Sequence, residues 1–274
     1  VTTLPSPPSS ALSSPGYKSK NNIMKLRKIE VCCTSVDDVM EAYYGGAIRV
    51  ELCSAISCGG VTPSHGLIME AVAAAASRIK VNVLIRLREG SFVYSPSEFR
   101  SMISDIEFCR SAGVDGVVIG ALTPEGSIDI NNCRRMVEAA GGMSVTFHRA
   151  FDVCIDPELA LEQIVELRCD RILTSGQQPK ALAGAELISR LVRQAAGRII
   201  VMPGSGINPE NIAEIERVTG AEEFHSTARS AVPDPDLHNV PALGFDEPAA
   251  PITGDTRRYI LRTSRDVVRA IVDG

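Results

Sequence analysis

The chain has 274 residues, 45% of them hydrophobic and 22% charged, and 28 Lys and Arg against 33 Asp and Glu leave a formal net charge of −5. That balance, with no run rich in Lys or Arg, argues against nucleic acid and anionic membrane surfaces as partners. No apolar run approaches the roughly 20 residues needed to span a bilayer, and the length suits one α/β domain of about 250 residues.

Residues 1–24 open the chain with VTTLPSPPSSALSSPGYKSKNNI, rich in Ser and Pro and free of acids, followed by Met24. Such a segment buries too little to order itself. It reads as a disordered leader, with an organellar targeting segment as the alternative and Met24 as a possible internal start.

Residues 25–274 read as one barrel domain. Short β-branched runs recur at KIEVCC (28–33), IRVELC (48–53), KVNVLIRL (80–87), GVVIGAL (116–122), SVTFHRA (144–150), RILTSG (171–176), IIVMPGSG (199–206) and EFHSTARS (223–230). Segments with helical periodicity separate them, from VDDVMEAYY to PENIAEIERVTG, and SRDVVRAIVDG closes the chain. Asp156-Pro157-Glu158 and Asn208-Pro209-Glu210 carry helix-start chemistry. Gly45, Gly113, Gly141, Gly197 and Gly220 stand where helices should stop. Eight strand–helix units predict a parallel sheet closed as a (β/α)8 TIM-like barrel. The open doubly wound alternative lacks its G-x-G-x-x-G after the first strand, where Cys32-Cys33-Thr34-Ser35 stands.

Strand side chains alternate between two faces. In IRVELC, Ile48, Val50 and Leu52 form an apolar face that must lie under helices, so Arg49, Glu51 and Cys53 face the lumen. The same parity turns Glu30 and Cys32 inward from strand one, and Asn82, Leu84 and Arg86 from strand three. Thr146 and His148 follow from strand five, and Glu223, His225 and Thr227 from strand eight. Barrel interiors are usually filled with Val, Ile and Leu. A charged lumen is either a structural ion cluster, with Glu51 paired to Arg49 or Arg86, or a site at the carboxyl ends of the strands.

Each candidate has two readings. His148 and His225 fall at strand ends with inward parity, where neutral imidazole serves as ligand, acid or base, or simply as a satisfied core residue. Arg149 binds an anion or pairs with Asp152. Ser175, at the end of strand six, and Gly204 and Gly206, after strand seven, let backbone N–H groups approach an anion. The eight cysteines show no C-x-x-C and no disulfide framework, which fits reduced thiols in the cytoplasm. Cys32 and Cys53 share inward parity on adjacent strands about 4.8 Å apart, and paired soft sulfurs select Cu(I). Packing alone also accounts for buried thiols. Cys33 faces the helices, Cys109, Cys133 and Cys169 lie in helical patterns, and Cys58 sits near the same rim as a third ligand or lid residue.

E-V-C near the start, RVELC with a following GG-x-TPS, R-x-R with F-x-YS, TFHRAFD, LTSG, VMPGSGI and EFHSTARS resemble, in order, the signatures of the CutC copper-homeostasis family, over residues 28–230. The resemblance implies a TIM-like barrel, cytosolic copper handling, Cu(I) binding by cysteines and a homo-oligomer, either dimer or tetramer. It carries the copper thiols to Cys32 and Cys53, and a polar pocket to Glu30, Arg49, Glu51, Arg86, His148, Arg149, Asp152 and His225. It also marks the Pro-rich stretch 231–262 as a variable loop.

Two functions follow as expectations. One is Cu(I) binding in copper homeostasis, with no organic cofactor. The other is an enzyme acting on a small anionic or phosphorylated substrate, with Glu30 or Glu51 as base, His148 or His225 as acid, and Arg49 and Arg86 holding the charge. A Schiff-base aldolase is set aside, because Lys18, Lys20, Lys25, Lys28, Lys80 and Lys180 all lie away from carboxyl strand ends.

Overall fold

The structure, a computed structural model, describes residues 26–233 and 259–274. The leader expected over residues 1–24 and most of the Pro-rich stretch lie outside the described residues. The first half of the barrel runs β1 (Lys28–Cys33), α1 (Val36–Gly45), β2 (Arg49–Leu52), α2 (His65–Ala75), β3 (Lys80–Leu84), α3 (Pro96–Ser111), β4 (Gly116–Ile119) and α4 (Ile130–Ala140). The second half runs β5 (Ser144–Phe147), α5 (Pro157–Glu166), β6 (Arg171–Thr174), α6 (Ala185–Ala195), β7 (Ile200–Pro203), α7 (Ile212–Thr219) and β8 (Glu223–Ser226). An antiparallel hairpin of β9 (Arg229–Pro233) and β10 (Tyr259–Thr263) precedes α8 (Arg265–Asp273).

Seven parallel ladders run from β7 through β6, β5, β4, β3, β2 and β1 to β8. The eighth seam, between β7 and β8, carries no ladder among the described residues; there the Ser226 hydroxyl donates to the Ile207 carbonyl at 2.8 Å. The sheet is therefore a nearly closed (β/α)8 barrel. Parity sorts its faces as the sequence predicts. Val31, Val50, Leu52, Val83, Ile119, Phe147 and Phe224 join one core between strands and helices. Cys32, Cys53, Leu84 and Val118 form a separate small apolar cluster inside the lumen. Each fully buried aliphatic side chain of the outer core contributes about 1.5–3 kcal/mol.

Local chemistry sets the element ends. Ser35, Ser64, Ser95, Asp129, Asp156 and Ser264 accept a backbone N–H from the first turn of their helices, and Ser95 with Glu98 completes a capping box. Four expectations change. Ile48 lies just before β2, at its amino end, and is 39% exposed rather than covered by helices. Asn208 does not start a helix; its side chain caps the backbone of Glu210 and Asn211, and α7 begins at Ile212. EFHSTARS is not one strand: a left-handed Ala228 (φ 44°) turns the chain out of the barrel into β9. The two ends of the 231–262 stretch are strand, pairing Ala231 with Leu261.

Candidate metal and anion site

At the carboxyl end of the strands lies a cavity of about 540 Å³. Cys32, Glu51, Arg86, His148, Arg149, Asp152 and His225 all line it, together with Cys58 and apolar side chains from several loops. Its floor is a buried ion network. Arg49 pairs with Glu30 through Nε and with Glu223 through Nη2 at 2.7 Å, and Arg171 reaches the same Glu223 carboxylate at 2.8 Å. Arg49 Nη2 also touches the Met202 sulfur at 3.5 Å. Arg49 therefore faces the lumen but is absent from the cavity wall, because it is the first residue of β2 and sits one layer down. Glu30 joins floor to cavity: one oxygen takes Arg49, the other meets His225 Nδ1 at 2.8 Å.

One corner of the cavity gathers soft and hard ligands. The Cys32 and Cys53 sulfurs are 3.3 Å apart. Ligand atoms of Cys32, Glu51 and His225 lie within 4.8 Å of one another. Cys32 and Glu51 are opposite each other in the β1–β2 register, and Cys53 follows on the same face just past β2. Cys53 is fully buried behind Cys32 and does not reach the cavity surface. The hydrogen bond to Cys53 raises the Cys32 thiol well above its ordinary range, and burial and the Glu51 charge add to this. A metal must displace that proton. Burial raises Glu51 to about 7, with Glu30 adding to the shift and His225 and Arg49 opposing it. Burial opposes a charge on His225 as well, yet its hydrogen bond to Glu30 and the charges of Glu51 and Glu30 raise its pKa overall. His225 thus has one ring nitrogen held by a carboxylate, the arrangement that orients metal-ligating histidines.

Arg86 and His148 form a further part of the wall, each against Phe92. Arg86 follows the end of β3, and its guanidinium donates to the carbonyls of Cys58 (3.0 Å), Gly60 (2.8 Å) and Gly90 (3.2 Å). Phe92 lies under the guanidinium, 5.2 Å from ring centroid to Cζ, and 4.9 Å from the His148 ring. His148 Nδ1 accepts the Ala150 N–H at 3.1 Å. Burial and the Arg86 cation push His148 down to about 3, so it is neutral. Gly120 makes room for it, since a Cβ there would stand 2.4 Å from the imidazole Cε1.

The remaining expected residues are mostly committed to one another. Arg149 pairs with Asp152 at 2.7 Å and donates to the Ser175 hydroxyl at 2.9 Å. Asp152 also accepts the Ser175 and Gln177 N–H groups, which ties the short 3-10 turn Arg149–Val153 to the end of β6. Ser175 is buried outside the cavity wall, and so is Gly204, where a Cβ would press on Leu173 and His225. Gly206 reaches the wall. Cys58 lines the cavity on a 3-10 turn, its thiol directed at the Ala55 carbonyl at 3.0 Å, and stands outside the Cys32–Glu51–His225 set.

Three participants are not singled out as site residues in the sequence. Lys180, on the loop after β6, lines the cavity mouth with its stem against Gly206, so a lysine does reach the carboxyl end of the barrel, contrary to the expectation from its place in the chain. Phe92 stands in the F-x-YS motif, in a loop with no periodic signal to give it a role. Arg171 follows from parity: Leu173 lines the cavity, and the period of two gives Arg171 the same inward face.

Fold and cavity together define a TIM-like barrel with a ligand cavity at its carboxyl face. The sequence profile of the CutC family matches residues 27–230. A family protein CutC from Parabacteroides distasonis is 55% identical over 206 residues, covering 75% of this chain and 84% of the relative. Another, from Chromobacterium violaceum, is 43% identical over 243 residues, covering 87% of this chain and 98% of the relative. A solved structure from Streptococcus agalactiae, described as a candidate copper homeostasis protein CutC, aligns with a TM-score of 0.71 at 34% identity, covering 74% of this chain and 99% of its own. This chain belongs to the CutC family.

Proposed function

We propose that the protein binds Cu(I) through Cys32 and Cys53 at the inner corner of the barrel cavity and serves copper homeostasis in the cytoplasm. The observation that carries this reading is the pair of sulfurs 3.3 Å apart, with His225 and Glu51 grouped around Cys32. Two thiols beside an imidazole form a donor set that favours a soft monovalent ion, and the copper homeostasis description of the Streptococcus agalactiae relative points the same way. Among the described residues no helix is long and apolar enough to cross a membrane. Assembly into a homo-oligomer belongs to the same reading and is tested by light scattering.

The deciding experiment is a Cu(I) competition titration under reducing conditions. Replacing both thiols, Cys32→Ser with Cys53→Ser, should weaken binding by about a hundredfold or more, the loss of two charge-bearing soft ligands. Undiminished affinity would remove the assignment.

A second reading makes the same cavity an enzyme site for a small anionic or phosphorylated substrate. The observation favouring it is Glu51, a cavity-lining carboxyl that titrates near 7, where general acid–base groups work best. The other roles fit less well. Arg49 and His225 hold Glu30 near 2 against the effect of burial, which makes it a poor base. His148, near 3, carries no proton to give as an imidazolium at neutral pH.

A further inference from the structure

Arg86 is 7% exposed and His148 is 4% exposed, and both still line the cavity. Arg86 has no acid opposite it: its guanidinium bonds go only to carbonyls. Nη1 gives its hydrogens to Cys58 and Gly60, and Nη2 gives one to Gly90. The Nε–H has no partner, and one Nη2 hydrogen remains. The His148 tautomer follows from geometry. Nδ1 accepts from Ala150, so the proton of the neutral ring is on Nε2, and Nε2 also lacks a partner. Burying a cation without a counter-charge costs several kcal/mol, and each unmade hydrogen bond adds to that cost. The two other deeply placed arginines, Arg49 and Arg171, both have carboxylates.

We infer that Arg86 and His148 form a subsite for the carboxylate group of a small organic acid, in the same cavity as the Cys32 corner. The charge and donor count select this class. The wall carries one positive charge and three uncommitted N–H donors, which suits a planar monoanion whose oxygens meet a guanidinium fork and an imidazole N–H. A phosphate dianion brings a second negative charge toward Glu51 with no second cation in the buried wall. The cavity, about 540 Å³, leaves space for the rest of a small acid. The inference names a ligand class for the second reading above and does not depend on copper.

The test uses the full-length chain, metal-free, both as wild type and with Cys32→Ser and Cys53→Ser. Calorimetric titrations with butyrate, inorganic phosphate and sodium chloride are run beside proton–nitrogen spectra of the histidine rings. The expected result is butyrate binding in both chains, a moved His148 Nε2 resonance, and an affinity loss of about tenfold or more in Arg86→Gln. If Arg86→Gln does not fold, the His148 resonance in the unsubstituted chain decides. A still resonance, phosphate binding in place of butyrate, or no binding at all overturns the subsite. Because the double serine chain lacks the copper thiols, failure here and failure of the copper reading are separate results.

Discussion

The barrel interior has a floor and a mouth, and they treat charge in opposite ways. On the floor, Glu30, Arg49, Glu223 and Arg171 all have an oppositely charged partner. In the cavity above, Glu51 has an oxygen with no donor, Arg86 an Nε–H with no acceptor, and His148 an Nε2 with no partner. Both layers are buried, so desolvation alone does not separate them. A network complete within the chain holds strands together. A set of groups left incomplete is matched by something that comes from outside. His225 links the two, with Nδ1 on the floor's Glu30 and its ring on the cavity wall.

The largest effect should come from breaking the floor. Arg49→Leu leaves Glu30 with only His225 and Glu223 with only Arg171, and losing one partner of a buried ion network costs about 3–5 kcal/mol. Arg86→Leu removes a cation that no carboxylate answers, so it should cost clearly less. Urea unfolding of the two variants measures this. Equal losses would erase the distinction between floor and mouth.

The pH dependence of stability sharpens the contrast. Glu30 is held near 2 in the folded state, below its ordinary value of 4.5. Its contribution is therefore present above 4.5 and lost as the pH falls toward 2. Glu51 has the opposite sign. Raised from 4.5 to about 7, it keeps its proton longer in the folded chain, so stability falls as the pH rises through that window. His148, lowered from 6.5 to about 3, counters this, because the unfolded chain takes up the proton first and stability rises with pH across that range. Glu51 and His148 thus oppose each other in the wild type, and His225, raised above 6.5, adds to the Glu51 slope because its stabilisation is lost as the pH rises. Glu51→Gln should therefore gain on the wild type as the pH rises, reaching about 1–3 kcal/mol at pH 8. A Glu51→Gln profile parallel to that of the wild type means that Glu51 is ionised throughout.

Much of this interior was legible in the sequence, because a period of two needs only the chain. Parity assigns Glu30, Cys32, Glu51, Asn82, Leu84 and His225 to the lumen and Val31, Val50, Leu52 and Phe224 to the outer core, and the structure agrees. Parity gives a face but no height. It groups Arg49 with Arg86, whereas Arg49 opens β2 opposite Lys80 and lies among carboxylates on the floor, and Arg86 stands past the end of β3 among carbonyls in the wall. The pairing of Arg149 with Asp152 is local enough to read from a three-residue spacing. Lys180 and Phe92 were not legible, since loop residues reach the cavity by a path that no periodic pattern encodes.

The smallest effect belongs to Lys180. It is exposed, its stem rests on Gly206, and it stands at the mouth, outside both the floor network and the Arg86–His148 wall. An exposed cation acts through solvent, where attraction is weak and the screening length is about 8 Å at physiological salt. Lys180→Met should therefore lower butyrate affinity only about two- to threefold at low ionic strength, with the two proteins converging near 0.5 M salt. Calorimetry across a salt series measures this. A loss of about tenfold that survives high salt means direct contact, and it would shift the anion from the buried Arg86–His148 wall to the mouth. Floor and wall would then differ only in burial, and the unpaired donors of the wall would need a different occupant.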